Sequence, residues 1–363
     1  MKALSNMSRL QVSSDYLLLL IKVYEAKGKE FYYDDLFQRD KDIFKNKVIE
    51  TNAFYLGKIL KFDFTEPRLK HLSRKKLVPK NKQEALFLNI KKALHNIQNY
   101  PKEFEVLANE FDDLAKLLGK DVESAKFKTI DQKKDGTLFS NGNKINGRNE
   151  LEELVKLYLK QEKTKQYELI QLIANFYVDY IHLEPFTLYN DIISYIILYA
   201  FLVKDFAVFK YVSFFESFYN VFDSYIQALN QANYYYSTGY PNVDLLQRLI
   251  VDILWSSYEK MNDFVRSYSF EKKLNKGDSI ESTIRNGKEI FTKEDIRLAH
   301  PTVAKITIDR TLKRLKDEGL IQPLGKGRSS KWQRIDERKR RGGQQLDIFY
   351  FTEDVWHHQL KNI

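Results

Sequence analysis

The sequence predicts a mainly α-helical chain with a small β-hairpin near its middle and a compact helix–helix–hairpin module towards its C-terminal end. Three observations carry this. Apolar and aromatic residues recur at three-and-four spacing through much of the first 270 residues, as in Tyr195, Tyr199, Phe201, Phe206, Phe209, Tyr211, Phe214, Phe215, Phe218, Tyr219, Phe222 and Tyr225. The turn formers Asp135-Gly136 and Asn141-Gly142 punctuate short runs between Phe127 and Arg148, a hairpin signal. After a polar stretch from Leu274 to Gly287, two short amphipathic helices precede two strand-like runs joined by Gly325-Lys326-Gly327-Arg328-Ser329-Ser330.

Taken in order, residues 13–118 read as mostly helical. Ser13 or Ser14 caps a helix from Tyr16 to Ala26, and Gly28 stands just past its end. Glu66-Pro67, the basic run Arg74-Lys75-Lys76 and Pro79-Lys80 interrupt the pattern before a helix from Gln83 to Ile97. Glu168 to Ile181 reads as a buried helix, as does Ile192 to Val203, an uncharged apolar run of 12 residues that is too short to span a bilayer. The aromatic cluster reads as core rather than a base-stacking platform, because its large apolar area drives burial. Tyr234-Tyr235-Tyr236 before Gly239-Tyr240-Pro241 reads as a loop.

Near the C-terminal end, Thr292 caps a helix over Lys293–Ala299, and a second helix runs from Thr302 to Glu318 with apolar Val303, Ile306, Ile308, Leu312 and Leu315. Gly319 ends it. Leu320 to Leu324 and Lys331 to Ile335 are the strands of a hairpin, so the module has the order of a winged helix-turn-helix. Leu346 to Phe351 is strand-like and lies in a tail.

The 363 residues exceed the usual size of one domain. The expected division is an N-terminal helical region over 1–120, a core over 121–275, the winged module over 285–345 and a tail over 346–363. With no cysteine there is no disulfide and no cysteine-based zinc site, and with no signal peptide the expectation is an intracellular, cytoplasmic chain. Between Arg285 and Arg341 there are 17 Lys/Arg and 8 Asp/Glu, so that one module carries +9 of the chain's net +10. Such concentration is the electrostatic footprint of a nucleic-acid binder. The expected contacts to double-stranded DNA are Lys305, Thr307, Arg310, Lys313 and Arg314 on the second helix, with Thr302 and Thr311 beside them. Lys326, Arg328, Ser329 and Lys331 are expected on the wing, and Arg338, Lys339, Arg340 and Arg341 on a basic arm. A protein-docking role for the module remains the alternative.

One segment points to a family. Ile181-His182-Leu183-Glu184-Pro185-Phe186-Thr187-Leu188-Tyr189-Asn190-Asp191-Ile192-Ile193-Ser194-Tyr195 resembles the signature loop of Fic (filamentation induced by cAMP) domains, His-Pro-Phe-x-Asp/Glu-Gly-Asn-Gly-Arg-x-x-Arg, set between two helices. The resemblance extends to the preceding helix, to a downstream Tyr225-Ile226-Gln227-Ala228-Leu229, and to the hairpin, which stands where the family has a flap that aligns a target segment by strand addition. It implies a Fic-like helical core and a chemistry of nucleotide transfer to a protein hydroxyl. Aligned on Pro185-Phe186, Asn190 keeps the family's Asn. Glu184 replaces the general-base His, Leu188 the acidic metal ligand, Tyr189 and Asp191 the two glycines, and Ile192 and Tyr195 the two arginines. A carboxylate at Asp191 and the loss of the arginines leave a site that repels polyphosphate.

Candidate catalytic residues are therefore His182, two residues before the expected place, Glu184 as a substitute base, and Asn190; His182 at a helix end also reads as a plain hydrogen-bonding residue. Asn46-Lys47-Val48-Ile49-Glu50-Thr51-Asn52 resembles the inhibitory helix of some Fic proteins, with Glu50 in the inhibitory place or simply a solvated helix residue. Two readings compete. In the first the chain is a catalytically degenerate Fic-like regulator, or a scaffold in a DNA-associated bacterial or phage-defence system, with no cofactor and no metal. In the second it still transfers AMP, using ATP and Mg. Expected partners are double-stranded DNA, and a protein target or a second copy of the chain; no membrane is expected. An altered pocket serving as a sensor of another small ligand is a third reading.

Overall fold

The computed structural model describes the chain apart from residues 10–11, 39, 76, 131–144, 274–275, 326–330 and 336–363. It falls into two compact units, Met1–Val265 and Arg266–Ile363. The regions expected over 1–120 and 121–275 lie together in the first as far as Val265.

The first unit opens with a short turn of helix, α1 (Lys2–Ser5), followed by α2 (Ser14–Lys27), α3 (Glu30–Leu36) and α4 (Lys41–Ile59). Ser13 caps α2 by accepting the Tyr16 N–H, and Gly28 follows its end. Glu66-Pro67 does not break the chain. It starts α5 (Glu66–Arg74), because proline in a helix's first turn has no hydrogen bond to lose. Next come α6 (Lys82–Asn99) and α7 (Ala108–Gly119).

Strands β1 (Thr129–Ile130) and β2 (Ile145–Asn146) pair antiparallel, with Thr129 opposite Asn146 and Ile130 opposite Ile145. They form the base of the expected hairpin; its Asp135-Gly136 and Asn141-Gly142 turns lie outside the described residues. After α8 (Gly147–Thr164), α9 (Leu169–Leu183) and α10 (Asn190–Asp205) make the centre of the unit. Every residue of α9 from Ile170 to Tyr180 is buried, which is why this segment is mostly apolar on all sides, with only Gln171, Asn175 and Asp179 polar within it. Helix α9 packs on α1, α8 and α10, and α4 packs on α6 and α11 (Phe214–Asn220).

The aromatic cluster is core as expected, with Tyr199, Phe206, Phe209, Phe214 and Phe215 at zero exposure, while Tyr219 is 39% exposed. Among the described residues, no helix is long and apolar enough to cross a membrane. Helix α12 (Phe222–Tyr236) runs through Tyr234-Tyr235-Tyr236 where a loop was expected, and α13 (Asp244–Lys273) follows. Tyr236 prolongs α12 because its hydroxyl donates to the buried carboxylate of Asp179, 2.8 Å away. That carboxylate also accepts the Ala3 and Leu4 N–H groups, each at 2.9 Å, so α9 caps α1 from outside.

In the second unit the polar stretch read as a connector is largely a helix, α14 (Lys276–Asn286), since Ile280 and Ile284 at i,i+4 give it an apolar stripe. Strand β3 (Ile290–Thr292), α15 (Lys293–Ala299), α16 (Lys305–Asp317), β4 (Ile321–Pro323) and β5 (Lys331–Arg334) complete it. The sheet order is β3-β5-β4, antiparallel throughout. This is the connectivity expected of a winged helix-turn-helix, with the wing tip outside the described residues. Ile280, Ile284, Phe291, Ile296, Ile308, Leu312, Leu315, Ile321 and Trp332 form its core.

Helix α16 starts at Lys305, three residues later than expected. Its core stripe is Ile308, Leu312 and Leu315, while Ile306 points outwards and is 65% exposed. Thr311, expected at the surface, is buried and donates to the Thr307 carbonyl at 2.9 Å.

Arg314 ties α16 to α14 through Glu281 at 2.7 Å and also reaches Glu318 at 3.1 Å. Burial pushes the Glu281 carboxyl upwards, but its hydrogen bonds to Arg314 and Arg285 and their charges outweigh this and hold its pKa below the ordinary 4.5. A carboxyl depressed by folding contributes stability that is complete above its unfolded value and is lost as the pH falls through the folded one. Amide protection of α14 and α16 is therefore expected to weaken below about pH 4.5, and Glu281→Gln should flatten that dependence. Identical acid profiles for the two proteins would refute the assignment.

Candidate functional site

The loop between α9 and α10 carries the candidate chemistry. Helix α9 ends at Leu183, and Glu184 turns the chain with φ 40°. Tyr189 then enters α10 in the left-handed region at φ 65°, ψ 13°. This is backbone geometry for which glycine is the easy residue and tyrosine a costly one. Two side chains hold it. The Asn190 Oδ1 accepts the Phe186 N–H at 3.0 Å while its Nδ2 donates to the Phe186 carbonyl at 2.6 Å. The Tyr189 hydroxyl donates to the Glu123 carbonyl at 2.9 Å, which ties its side chain to the segment before β1. Both polar ends of the Asn190 amide are spent on the loop's own backbone.

The segment entering β1 is laced to this loop. Lys128 N–H donates to the Pro185 carbonyl and Thr187 N–H to the Lys126 carbonyl, each at 2.8 Å, and Gly147 N–H donates to the Lys128 carbonyl at 2.9 Å. The Phe127 and Phe186 rings stack 4.6 Å apart, with the Arg148 guanidinium 5.7 Å over Phe127. Gly147 is needed because a Cβ there would collide with the Pro185 carbonyl oxygen and lie 3.2 Å from the Pro185 Cα.

Above the loop lies an open cleft of about 480 Å³ lined by Leu60, Phe62, Leu86, Glu184, Thr187, Leu188, Tyr189, Asn190, Asp191 and Ile192. Its charged lining residues are both acids. Glu184 is paired with Lys128 at 2.9 Å, and Asp191 is exposed on the first turn of α10. A triphosphate and its magnesium do not fit this set: the lining has no cation for the phosphates, and Leu188 offers no oxygen to a metal. Among the described residues no group of three or more His, Cys, Asp or Glu could hold a metal ion.

His182 is absent from the lining. Its Nδ1 donates to the Val178 carbonyl at 3.0 Å, and its ring stacks on Tyr236 with centroids 3.4 Å apart. The residue is held on the side of α9 that carries Asp179 and packs on Tyr236 of α12, so the structure does not bring it together with Glu184 and Asn190 at the cleft. Glu50 does not line the cleft either. It sits near the middle of α4, where burial raises its carboxyl pKa against the opposing pull of Lys91, Arg74 and Lys47.

In the second unit the expected DNA contacts separate. Lys305, Arg310 and Lys313 are exposed on α16 and form no ion pair among the described residues. Thr307 is half-buried, Lys331 is exposed at the start of β5, and Arg314 is committed to Glu281 and Glu318. Lys326, Arg328 and Ser329 lie outside the described residues, as do Arg338, Lys339, Arg340 and Arg341. Sequence reasoning missed Asp179, Tyr236 and Gly147. The first two act through contacts distant along the chain, but a glycine at the very start of a helix, Gly147-Arg148-Asn149-Glu150, was a signal for close backbone approach.

A buried helix closes into a Pro-Phe loop stapled by Asn190, with a hairpin base laced to that loop. A solved structure has the same fold. A Fic family protein from Desulfovibrio desulfuricans G20 superposes with a TM-score of 0.52 at 11% identity, covering 93% of this chain and 99% of that one. A Fic domain containing signaling protein from Bacteroides thetaiotaomicron VPI-5482 gives a TM-score of 0.46 at 14% identity, covering 66% of this chain and 95% of that one. The chain thus adopts the Fic fold. The 93% share is larger than the first unit, so the first likeness continues into the second. No protein-family model and no curated protein matches the sequence.

Proposed function

We propose that this chain is a Fic-fold protein whose motif loop has become structural and which acts on double-stranded DNA through its second unit, as a regulator or a DNA-associated scaffold. The observation that carries the proposal is the surface of α16: Lys305, Arg310 and Lys313 stand exposed and unpaired among the described residues, Arg310 and Lys313 opposite the buried Ile308, Leu312 and Leu315. Of the acids on or next to the helix, Asp309 is paired with Lys293 at 2.9 Å and Glu318 with Arg314, while Asp317 is exposed at its C-terminal end. An exposed face with more cations than acids suits a polyanion. The acidic cleft supports the other half of the proposal, since it withholds the cations that phosphoryl or nucleotidyl transfer requires.

Titrating duplex binding against salt tests both halves when paired with incubation in labelled ATP and magnesium. Binding should fall steeply with salt. Changing Lys305, Arg310 and Lys313 together to alanine in the full chain should reduce the slope of log K against log[salt] by about 3, roughly one per lost phosphate contact. An unchanged slope removes the DNA assignment. No self-labelling is expected; labelling that vanishes in Glu184→Ala would instead establish the enzyme. Asn190→Ala is unsuited to that purpose, because it also releases the Phe186 staple.

A further inference from the structure

We infer that Ile306 reads the C5-methyl group of a thymine in the major groove of double-stranded DNA, an assignment that rests on the DNA-binding reading above and adds to it what the protein recognises. In the core of the second unit Ile280, Ile284, Ile296, Ile308 and Ile321 are at most 3% exposed, whereas Ile306 is 65% exposed on the first turn of α16. Nothing in the packing of the unit requires an apolar residue there. A lone exposed isoleucine is ordinary on a protein surface; its neighbours make this one informative.

Ile306, Arg310 and Lys313 are spaced i, i+4, i+7 and share one face of the helix, which Asp317 closes at the far end, while Lys305 stands off that face at the helix start. That face presents two unpaired cations beside one branched aliphatic side chain, with a third cation at the helix start. Its complement is a polyanion carrying an isolated apolar point. Duplex DNA has this pattern: phosphates flank a groove in which thymine alone projects a methyl group, and an apolar side chain is what contacts it. Hydrogen-bonding side chains would report other bases. Duplex RNA lacks the methyl, and its deep, narrow major groove does not admit a helix. The first turn of the second helix is also where such modules reach base edges, which places Ile306 at base depth and leaves Arg310 and Lys313 to the phosphates further along.

The experiment begins with selection of bound duplexes from a random library by the full chain, then replaces the enriched thymine by deoxyuridine, which removes the methyl and nothing else. The intact protein should lose about fourfold in affinity, the equivalent of one methyl-sized apolar contact. Ile306→Ala should bind the thymine duplex about fourfold more weakly, ignore the deoxyuridine change, and keep the same salt slope. Ile306→Val, which retains a branched chain, should keep part of the discrimination. Because the side chain is mostly exposed, these variants should melt with the parent.

Equal deoxyuridine sensitivity in parent and Ile306→Ala, or selection that enriches no thymine, overturns the inference and leaves the DNA reading standing. A parent chain with no salt-dependent duplex affinity, the result a protein-docking surface would give, overturns both.

Discussion

Gly147→Ala is expected to destabilise the first unit by about 2–3 kcal/mol and to loosen the motif loop, an effect larger than most single substitutions of a small residue produce. The added methyl has nowhere to go. It meets the Pro185 carbonyl, which is itself fixed by the Lys128 N–H at 2.8 Å, and Gly147's own N–H is committed to the Lys128 carbonyl. Relief requires parting the segment 126–128 from the loop, which gives up backbone hydrogen bonds and the stack of Phe127 on Phe186.

Gly57 is the internal comparison. A Cβ there would lie 2.8 Å from Leu69 Cδ1 and 2.9 Å from Phe87 Cε2, but these are side-chain atoms that can shift, so Gly57→Ala should cost less. Urea unfolding followed by helical signal measures the difference. A Gly147→Ala protein within 0.5 kcal/mol of the parent, the range of a neutral surface change, would show that the close approach is not a constraint.

Asp179→Ala should have a comparable or larger effect, on the order of 3–5 kcal/mol, because it strips three donors of one acceptor at once. The carboxylate is 1% exposed and takes Ala3 N–H, Leu4 N–H and the Tyr236 hydroxyl. Ala3 and Leu4 are fully buried and Met7 nearly so, so releasing α1 also uncovers apolar surface on α8 and α9. The signature is local. Amide protection and protease resistance of residues 2–9 should disappear at denaturant concentrations where α9 and α10 remain protected. Asp179→Asn keeps one acceptor and should fall between. Uniform protection of residues 2–9 in Asp179→Ala would show that apolar packing alone seats the segment.

Much of the fold was legible because its signals were local. The helices α2 and α6, the largely apolar α9 and α10, and the helix–helix–hairpin order at the C-terminal end follow from caps, periodicity and turn residues that act within a few positions. What sequence reading lost depended on distant partners. Tyr234-Tyr235-Tyr236 looked like a loop because nothing nearby says that Tyr236 will bond Asp179, 57 positions away. Ile306 looked like core because the periodic stripe of α16 was entered one turn too early. At the motif loop, the position of the turn between two buried helices could be read directly. The backbone could not, since Tyr189 and Asp191 both argued against a conformation that Asn190 and the Tyr189–Glu123 bond enforce.

That conformation has a cost and a restraint. A turn that glycine would make cheap is held here under tyrosine at φ 65°, roughly 1–2 kcal/mol less favourable. Its cross-braces from Asn190 and from the Tyr189 hydroxyl therefore act against a backbone that would otherwise relax.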